Sequence, residues 1–201
     1  MNTYTICPAA PGGADWDRVP TLEVGCRLWT EPVDIRMTTQ ICYTPDALLV
    51  RQRAWEQDVR AEHRDAVSMV CEDSCMEFFF SLQPADGRYF NFELNPNGCA
   101  YIGFGLGRND SIRLLPKDED ELLDKQVLRH QDGWELRYRI PLSFLQIFYP
   151  GYTLTKGQSL QGNCFKCGDL TPRPHYFSWN PVTSEAPDFH RPCDFGEMIL
   201  G

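Results

Sequence analysis

Residues 74–95 read SCMEFFFSLQPADGRYFNFELN and contain the clearest pair of β-strands in the chain. Polar and apolar residues alternate on both sides of a short connection, in which Pro84 and Asp86-Gly87 are typical of a turn. The pattern predicts an antiparallel hairpin with one face buried in a core. The side chains assigned to that face are apolar throughout: Met76, Phe78, Phe80, Leu82, Phe90, Phe92 and Leu94.

The opposite face of this hairpin mixes hydrogen-bonding groups with aromatic rings. Its residues are Glu77, Phe79, Tyr89, Asn91, Glu93 and Asn95. Carboxylate and amide oxygens accept hydrogen bonds from hydroxyl groups, and rings offer flat apolar surfaces, which is the combination that a sugar site needs. An exposed sheet face has a similar composition, so both interpretations stay open.

Further strand patterns lie on both sides of the hairpin. β-Like runs cover residues 22–29 and 35–43, alternation is strong at 47–55 and 134–140, and glycine recurs at alternate positions in 101–108. About ten short strands with almost no helix are typical of a β-sandwich or jelly roll. We therefore predict an all-β, mostly antiparallel sandwich, formed by residues 1–201 as one domain.

The run from Asn163 to Gly196 has neither a strand nor a helix period. It holds five of the 15 prolines, six aromatic residues and two of the four histidines. Proline removes a backbone donor and fixes φ, which disfavours regular structure, whereas aromatic residues are rare in disordered segments. The run is predicted to be a long ordered C-terminal loop. Its aromatic residues either form a functional surface or plug the open end of the sandwich.

Composition excludes some classes of partner. The net charge of −9 disfavours nucleic acid, and no apolar run approaches the length of a membrane span. The first residues lack the pattern of a secretory signal, and nine irregularly spaced cysteines suit a reducing compartment, so a cytoplasmic location is expected. The sequence leaves the oligomeric state open.

Two groups of residues suggest chemistry. Glu77 and Glu93 on neighbouring strands are candidates for a glycosidase pair, although nothing in their spacing assigns an acid and a base. Cys164 and Cys167 have the spacing of half a zinc site, with His175 and His190 as candidate further ligands, but a strand would put the two cysteines on opposite faces. Buried reduced thiols are the favoured interpretation.

Four motifs together resemble carbohydrate-binding module family 9 and its family-9-like relatives. They are EDSCMEFF at 72–79, NFELN at 91–95, SWNP at 178–181, and FHRP at 189–192 followed by Phe195-Gly196. The resemblance spans roughly residues 16–200. It implies a β-sandwich with jelly-roll-like topology that binds sugars, and a possible structural calcium.

The resemblance also implies site residues. Sugar binders of that family hold the ring between two tryptophans and grip its hydroxyls with polar groups, including a glutamate that corresponds to Glu77. The second stacking position corresponds to Phe189, but Val70-Cys71 stands where the first tryptophan is expected. Glu93 stands near a basic position of the family, and Trp179 corresponds to a structural tryptophan.

The sequence thus predicts non-catalytic carbohydrate binding, with no catalytic residue and no cofactor beyond calcium. Phe189 is the predicted apolar platform. The acceptors are Glu77, Asn91 and Glu93, and the donors are His190 and Arg191. The alternatives are an enzyme or enzyme-associated domain that acts on glycosides, and a haem- or metal-binding sandwich with ligands drawn from Met69, Met76, His63 or His175.

Overall fold

The computed structural model describes residues 1–10 and 12–201 and has the predicted all-β architecture. The strands are β1 (Thr3–Pro8), β2 (Thr21–Glu23), β3 (Cys26–Leu28), β4 (Arg36–Thr44), β5 (Ala47–Trp55), β6 (Cys75–Ser81), β7 (Tyr89–Leu94), β8 (Ala100–Gly105), β9 (Ser111–Leu114), β10 (Gln126–His130), β11 (Gly133–Pro141), β12 (Ser159–Cys167), β13 (Tyr176–Ser178) and β14 (Gly196–Leu200). The helices are α1 (Glu119–Leu123) and α2 (Leu142–Leu145). Single 3-10 turns occupy Val70–Glu72, Pro84–Asp86 and Pro192–Asp194.

The strands form two mostly antiparallel layers that share strand β1. One layer has the order β1-β14-β12-β6-β7-β8-β9, and the other has the order β10-β11-β5-β4-β1. β1 pairs in parallel with β14 through residues 3–6 and with β4 through Cys7 and Pro8. β2 extends β4, while β13 pairs with both β12 and β3. The result is a curled sheet folded into a sandwich.

The predicted hairpin is confirmed as β6 and β7. The strands pair antiparallel with Glu77 opposite Glu93 and Phe78 opposite Phe92. Gly87 ends the turn at φ 77°, a left-handed conformation that glycine adopts without steric cost. Register and turn agree with the alternation in the sequence.

The two faces of this hairpin belong to different cores. The apolar face packs between the two layers, where Phe78, Phe80, Phe90 and Phe92 are fully buried. The mixed face meets a second cluster built around Phe79, Tyr89, Phe165, Phe189 and Phe195, two of which come from the C-terminal loop. The loop therefore covers the outer face of the sheet and makes β6 and β7 buried on both sides.

The predicted C-terminal loop begins later than expected. Asn163 to Cys167 belong to β12, whose last residues pair with β6, and Tyr176–Ser178 form β13. The first proline of the run is Pro172, so nothing before it prevents strand pairing. The remaining residues between 168 and 195 form the long ordered loop, apart from β13 and one 3-10 turn.

Two arginines on one face of β5 are ion-paired. Arg51 donates to Glu135 over 2.7 Å, and Arg53 pairs with Asp132. Glu135 lies on the polar face of the alternating run 134–140, yet it is only 2% exposed and is ion-paired with both Arg51 and Arg137. This face of the sheet is a salt-bridged surface.

None of the helices in the described residues has the length and apolarity needed to cross a bilayer.

Candidate functional site

A cavity of about 250 Å³ lies between the outer face of β6, β7 and β8 and the C-terminal loop. Glu77 and Glu93 lie on its floor, and Trp29, Phe189 and Tyr176 are among its walls. Neighbouring strands supply the floor because Glu77 opposes Glu93 on β7 and Phe165 on β12. Strand register alone therefore places Glu77 and Glu93 side by side.

The two floor carboxyl groups are buried, and neither is ion-paired with a lysine or arginine within 4.0 Å in the part of the chain that the structure describes. Glu77 is 2% and Glu93 is 7% exposed. Burial, together with the charge of Glu93, raises the pKa of Glu77 well above its usual range, and burial raises the pKa of Glu93 to about 7. Cys167 donates its thiol hydrogen to Glu77 Oε1 over 3.0 Å. The pair lies side by side on adjacent strands.

Asn91 supports the floor from below. Its Nδ2 donates to Glu93 Oε1 over 2.7 Å, and the residue does not line the cavity. The amide fits because position 103 on β8 is glycine: a Cβ there would lie 2.3 Å from Asn91 Oδ1. One of the alternate glycines of the sequence therefore makes room for a side chain that orients Glu93.

Phe189 lines the cavity but is only 7% exposed. Phe165 stacks on it with ring centroids 4.1 Å apart, and the Trp29 ring lies 5.5 Å away at 38°. Trp29 is half-buried, and its Nε1 donates to Ser184 O over 2.8 Å. Both rings line the cavity, and Trp29 is the more exposed of the two.

Trp29 enters the site from a distant part of the chain. It follows β3 at φ 53°, a left-handed conformation that is unusual for a residue with a side chain. β3 pairs with β13, so Trp29 and Tyr176 meet with ring centroids 5.6 Å apart. The expected tryptophan position is filled differently: Val70 is buried and Cys71 lines the cavity.

His190 also lines the cavity, as the predicted set requires. Its Nδ1 is hydrogen-bonded to the Tyr89 hydroxyl over 2.8 Å, and its ring packs on Phe79. Burial lowers the pKa of His190 to about 4, so the imidazole is neutral near pH 7.

Arg191 is engaged away from the cavity. Its Nε donates to Asp194 Oδ2 over 2.8 Å, and it also reaches Thr183 Oγ1. The arginine that lines the cavity is Arg108, which follows β8 and pairs with Asp188 at 3.2 Å.

Two further lining residues were not singled out from sequence. Tyr101 lies opposite Glu93 in the β7–β8 register and carries Arg113 over its ring at 4.2 Å. Tyr101 is two residues from Gly103, so strand alternation places both on the same face. This alternation could have predicted that Tyr101 lies at the site. Asp169 follows β12, and burial raises its pKa. Asp169 is in the irregular loop, where no period predicts its direction.

The carboxylate of Asp73 is occupied by protein donors. It accepts hydrogen bonds from the backbone N–H groups of Glu62 and His63, from Asn95 and from Arg60. These bonds lower the pKa of Asp73 against the opposing effect of burial. The side chain thus joins a loop to the hairpin.

The residues suggested for zinc or haem do not assemble as proposed. Cys164 lies in the core between the layers and Cys167 on the cavity side, as alternation in a strand requires. His175 is hydrogen-bonded to Lys166, and Met76 is in the main core. In residues 1–10 and 12–201, Cys75, Glu77 and Cys167 are the group of three His, Cys, Asp or Glu residues spaced for a metal.

The family model for carbohydrate-binding family 9 matches residues 10–200. The chain belongs to carbohydrate-binding family 9. This membership agrees with the resemblance read from the four motifs and with the sandwich fold.

Solved structures show the same fold. A Bacteroides uniformis protein with a proposed carbohydrate-binding role is 26% identical, with a TM-score of 0.86 and coverage of 100% of this chain and 99% of that one. A family 9 module from Caldicellulosiruptor kristjanssonii, solved with glucose, is 13% identical, with a TM-score of 0.70 and coverage of 100% and 96%. Its structure with cellotriose gives the same identity and TM-score, with coverage of 99% and 93%. No curated protein matches the chain.

Proposed function

We propose that this family 9 domain binds carbohydrate without catalysis, in the cavity between the hairpin and the C-terminal loop. The observation that carries the proposal is the convergence of half-buried aromatic rings and buried carboxyl groups in one concave space. Trp29, Tyr101 and Tyr176 supply the rings, and Glu77 and Glu93 supply the carboxyl groups. The family and the sugar complexes of two similar structures point in the same direction.

The cavity volume suits a short ligand. At about 250 Å³ it is near the lower end of ordinary small-molecule pockets, which start at roughly 300 Å³. A single sugar ring or a chain end fits this space better than the middle of a polymer. The proposed ligand is therefore a monosaccharide or the terminal ring of an oligosaccharide.

Each group has a distinct role in the proposal. Trp29 gives the flat surface for the apolar face of a sugar ring, and Phe189 packs against the Trp29 ring. Glu77 and Glu93 accept from hydroxyls when ionised and also donate when protonated, while Asn91 keeps Glu93 oriented. Arg108 and His190 supply further polar atoms at the walls. Arg191 keeps only an indirect role through the loop.

A glycan array, run with and without calcium, followed by calorimetry of each hit, tests the proposal. Replacing Trp29 by alanine should weaken binding by about 1–2 kcal/mol, roughly five- to thirtyfold, because the sugar loses its stacking surface. Trp16→Ala is the matched control, since Trp16 is also half-buried but lies outside the cavity. Equal loss in both variants, or a folded protein that binds no glycan, would contradict the proposal.

A further inference from the structure

Three soft or acidic ligand groups meet at the cavity floor. Cys75 and Cys167 are register partners on β6 and β12, and Glu77 is two residues beyond Cys75 on the same face. One ligand atom from each side chain lies within 4.8 Å of the other two. All three residues are at most 2% exposed.

In the described residues, no cation forms a direct ion pair with the carboxyl groups around this cluster, although Arg108 lies in the cavity wall. In the described part of the chain, no lysine or arginine nitrogen lies within 4.0 Å of a carboxylate oxygen of Glu77, Glu93 or Asp169. Buried carboxyl groups without a partner are costly to ionise. A bound divalent cation would give the Glu77 carboxylate a positive charge in direct contact.

We propose that Cys75, Glu77 and Cys167 form a binding site for a zinc-like divalent metal. Two thiolates and one carboxylate match the ligands that zinc takes in proteins, and three protein ligands leave one position open. Glu77 and Cys167 line the cavity, so the open position faces the space proposed for the sugar. The thiols release their protons when the metal binds.

The site differs from the zinc site suggested by the Cys164-x-x-Cys167 spacing. Cys164 lies on the opposite face of β12, in the core between the layers. The partner of Cys167 is instead Cys75, which is 92 positions earlier and is brought to it by strand register. Sequence spacing does not reveal such a pair.

Titration of the reduced, chelator-treated protein with Co²⁺ tests the site in the absence of sugar. The wild type should bind one Co²⁺ with a near-ultraviolet thiolate-to-metal band, and Zn²⁺ should displace it. Cys75→Ser and Cys167→Ser should each weaken binding at least about tenfold, by analogy with losses at supporting positions of metal sites. Cys164→Ser is the matched control, because it removes a fully buried thiol from the other face of the same strand.

A second measurement covers the case in which a serine variant fails to fold. X-ray absorption of the zinc-loaded wild type should show two sulfur neighbours at about 2.3 Å and lighter neighbours beside them. The absence of a thiolate band, a first shell without sulfur, or an equal loss of binding in Cys164→Ser would overturn the proposal. Since these titrations contain no glycan, their outcome is independent of the sugar site.

Discussion

Adjacent residues of β12 enter two buried polar clusters that are built in opposite ways. Lys166 points into the sandwich, where its Nζ lies 3.2 Å from Glu56 Oε1, 2.8 Å from His175 Nε2 and 3.0 Å from the Cys167 carbonyl. Cys167 points to the other face, towards Glu77 and the cavity. The first cluster is closed and contains its own cation. The second opens to a cavity, and no lysine or arginine of the described residues is ion-paired with its carboxyl groups.

This difference separates a structural cluster from a candidate binding site. The Glu56 carboxylate is ion-paired with Lys166 and accepts hydrogen bonds from Trp134 and Ser74. Its hydrogen-bonding needs are therefore met within the protein. The carboxyl groups of Glu77 and Glu93 have spare hydrogen-bonding capacity and face open space. Buried polar groups that are only partly satisfied are costly, and a ligand can supply the missing partners.

The largest expected effect comes from breaking the closed cluster. Lys166→Met removes the buried cation and leaves Glu56 charged without its partner, which should cost about 3–5 kcal/mol of unfolding free energy. Chemical denaturation measures this loss. Glu77→Gln is the control, because no internal ion pair is broken there. A loss below about 1 kcal/mol for Lys166→Met would show that the ion pair has no structural role.

The open cluster should destabilise the metal-free protein as pH rises. The pKa of Glu93 is about 7 in the folded chain against 4.5 as its ordinary value. Its stabilising contribution is therefore complete below pH 4.5 and is lost as pH rises through about 7. Between about pH 5 and pH 8 the wild type should lose up to roughly 3 kcal/mol relative to Glu93→Gln. Parallel stability curves for both proteins would refute this.

The closed cluster should show the opposite pH dependence. Burial and the charge of Lys166 lower the pKa of His175 from 6.5 to about 3. The contribution of this neutral histidine is present above pH 6.5 and is lost progressively as pH falls towards 3. From about pH 6.5 to about pH 5 the wild type should lose roughly 2 kcal/mol relative to His175→Gln. Thermal melts across that range measure the difference, which disappears if His175 is protonated in the folded state.

The smallest effects distinguish two arginines near the cavity. Arg108→Ala should weaken binding of the best glycan by about threefold to tenfold, since it removes a donor from the cavity wall. Arg191→Ala should change the affinity by less than about twofold, because its guanidinium is engaged with Asp194. Calorimetry decides between them. The reverse order would support Arg191, the donor predicted from sequence, over Arg108.

The sequence predicted the parts of the fold that depend on local alternation. Residues 74–95 gave the hairpin with the correct faces, and 47–55 matched β5 from end to end. Burial of Glu135 was not predictable in this way. Its partner Arg51 lies 84 positions away, and only the pairing of β11 with β5 brings them together.

Strand alternation likewise indicated only those residues of the candidate site that lie on regular strands. Glu77 and Glu93 follow from strand parity, whereas Trp29 reaches the cavity through the pairing of β3 with β13 and a left-handed backbone turn. The direction of Arg191 depends on its contact with Asp194 in the loop, and that contact has no periodic signature. In a regular strand, the position of a residue in the sequence determines which way its side chain points. In an irregular loop it does not.

A crystal structure with the tightest glycan tests the central claim most directly. The account predicts a sugar ring against Trp29 with at least one hydroxyl within hydrogen-bonding distance of Glu77 or Glu93. A ring bound instead on the salt-bridged surface of β5, beside Trp16 and Trp55, with the cavity free of sugar, would contradict it.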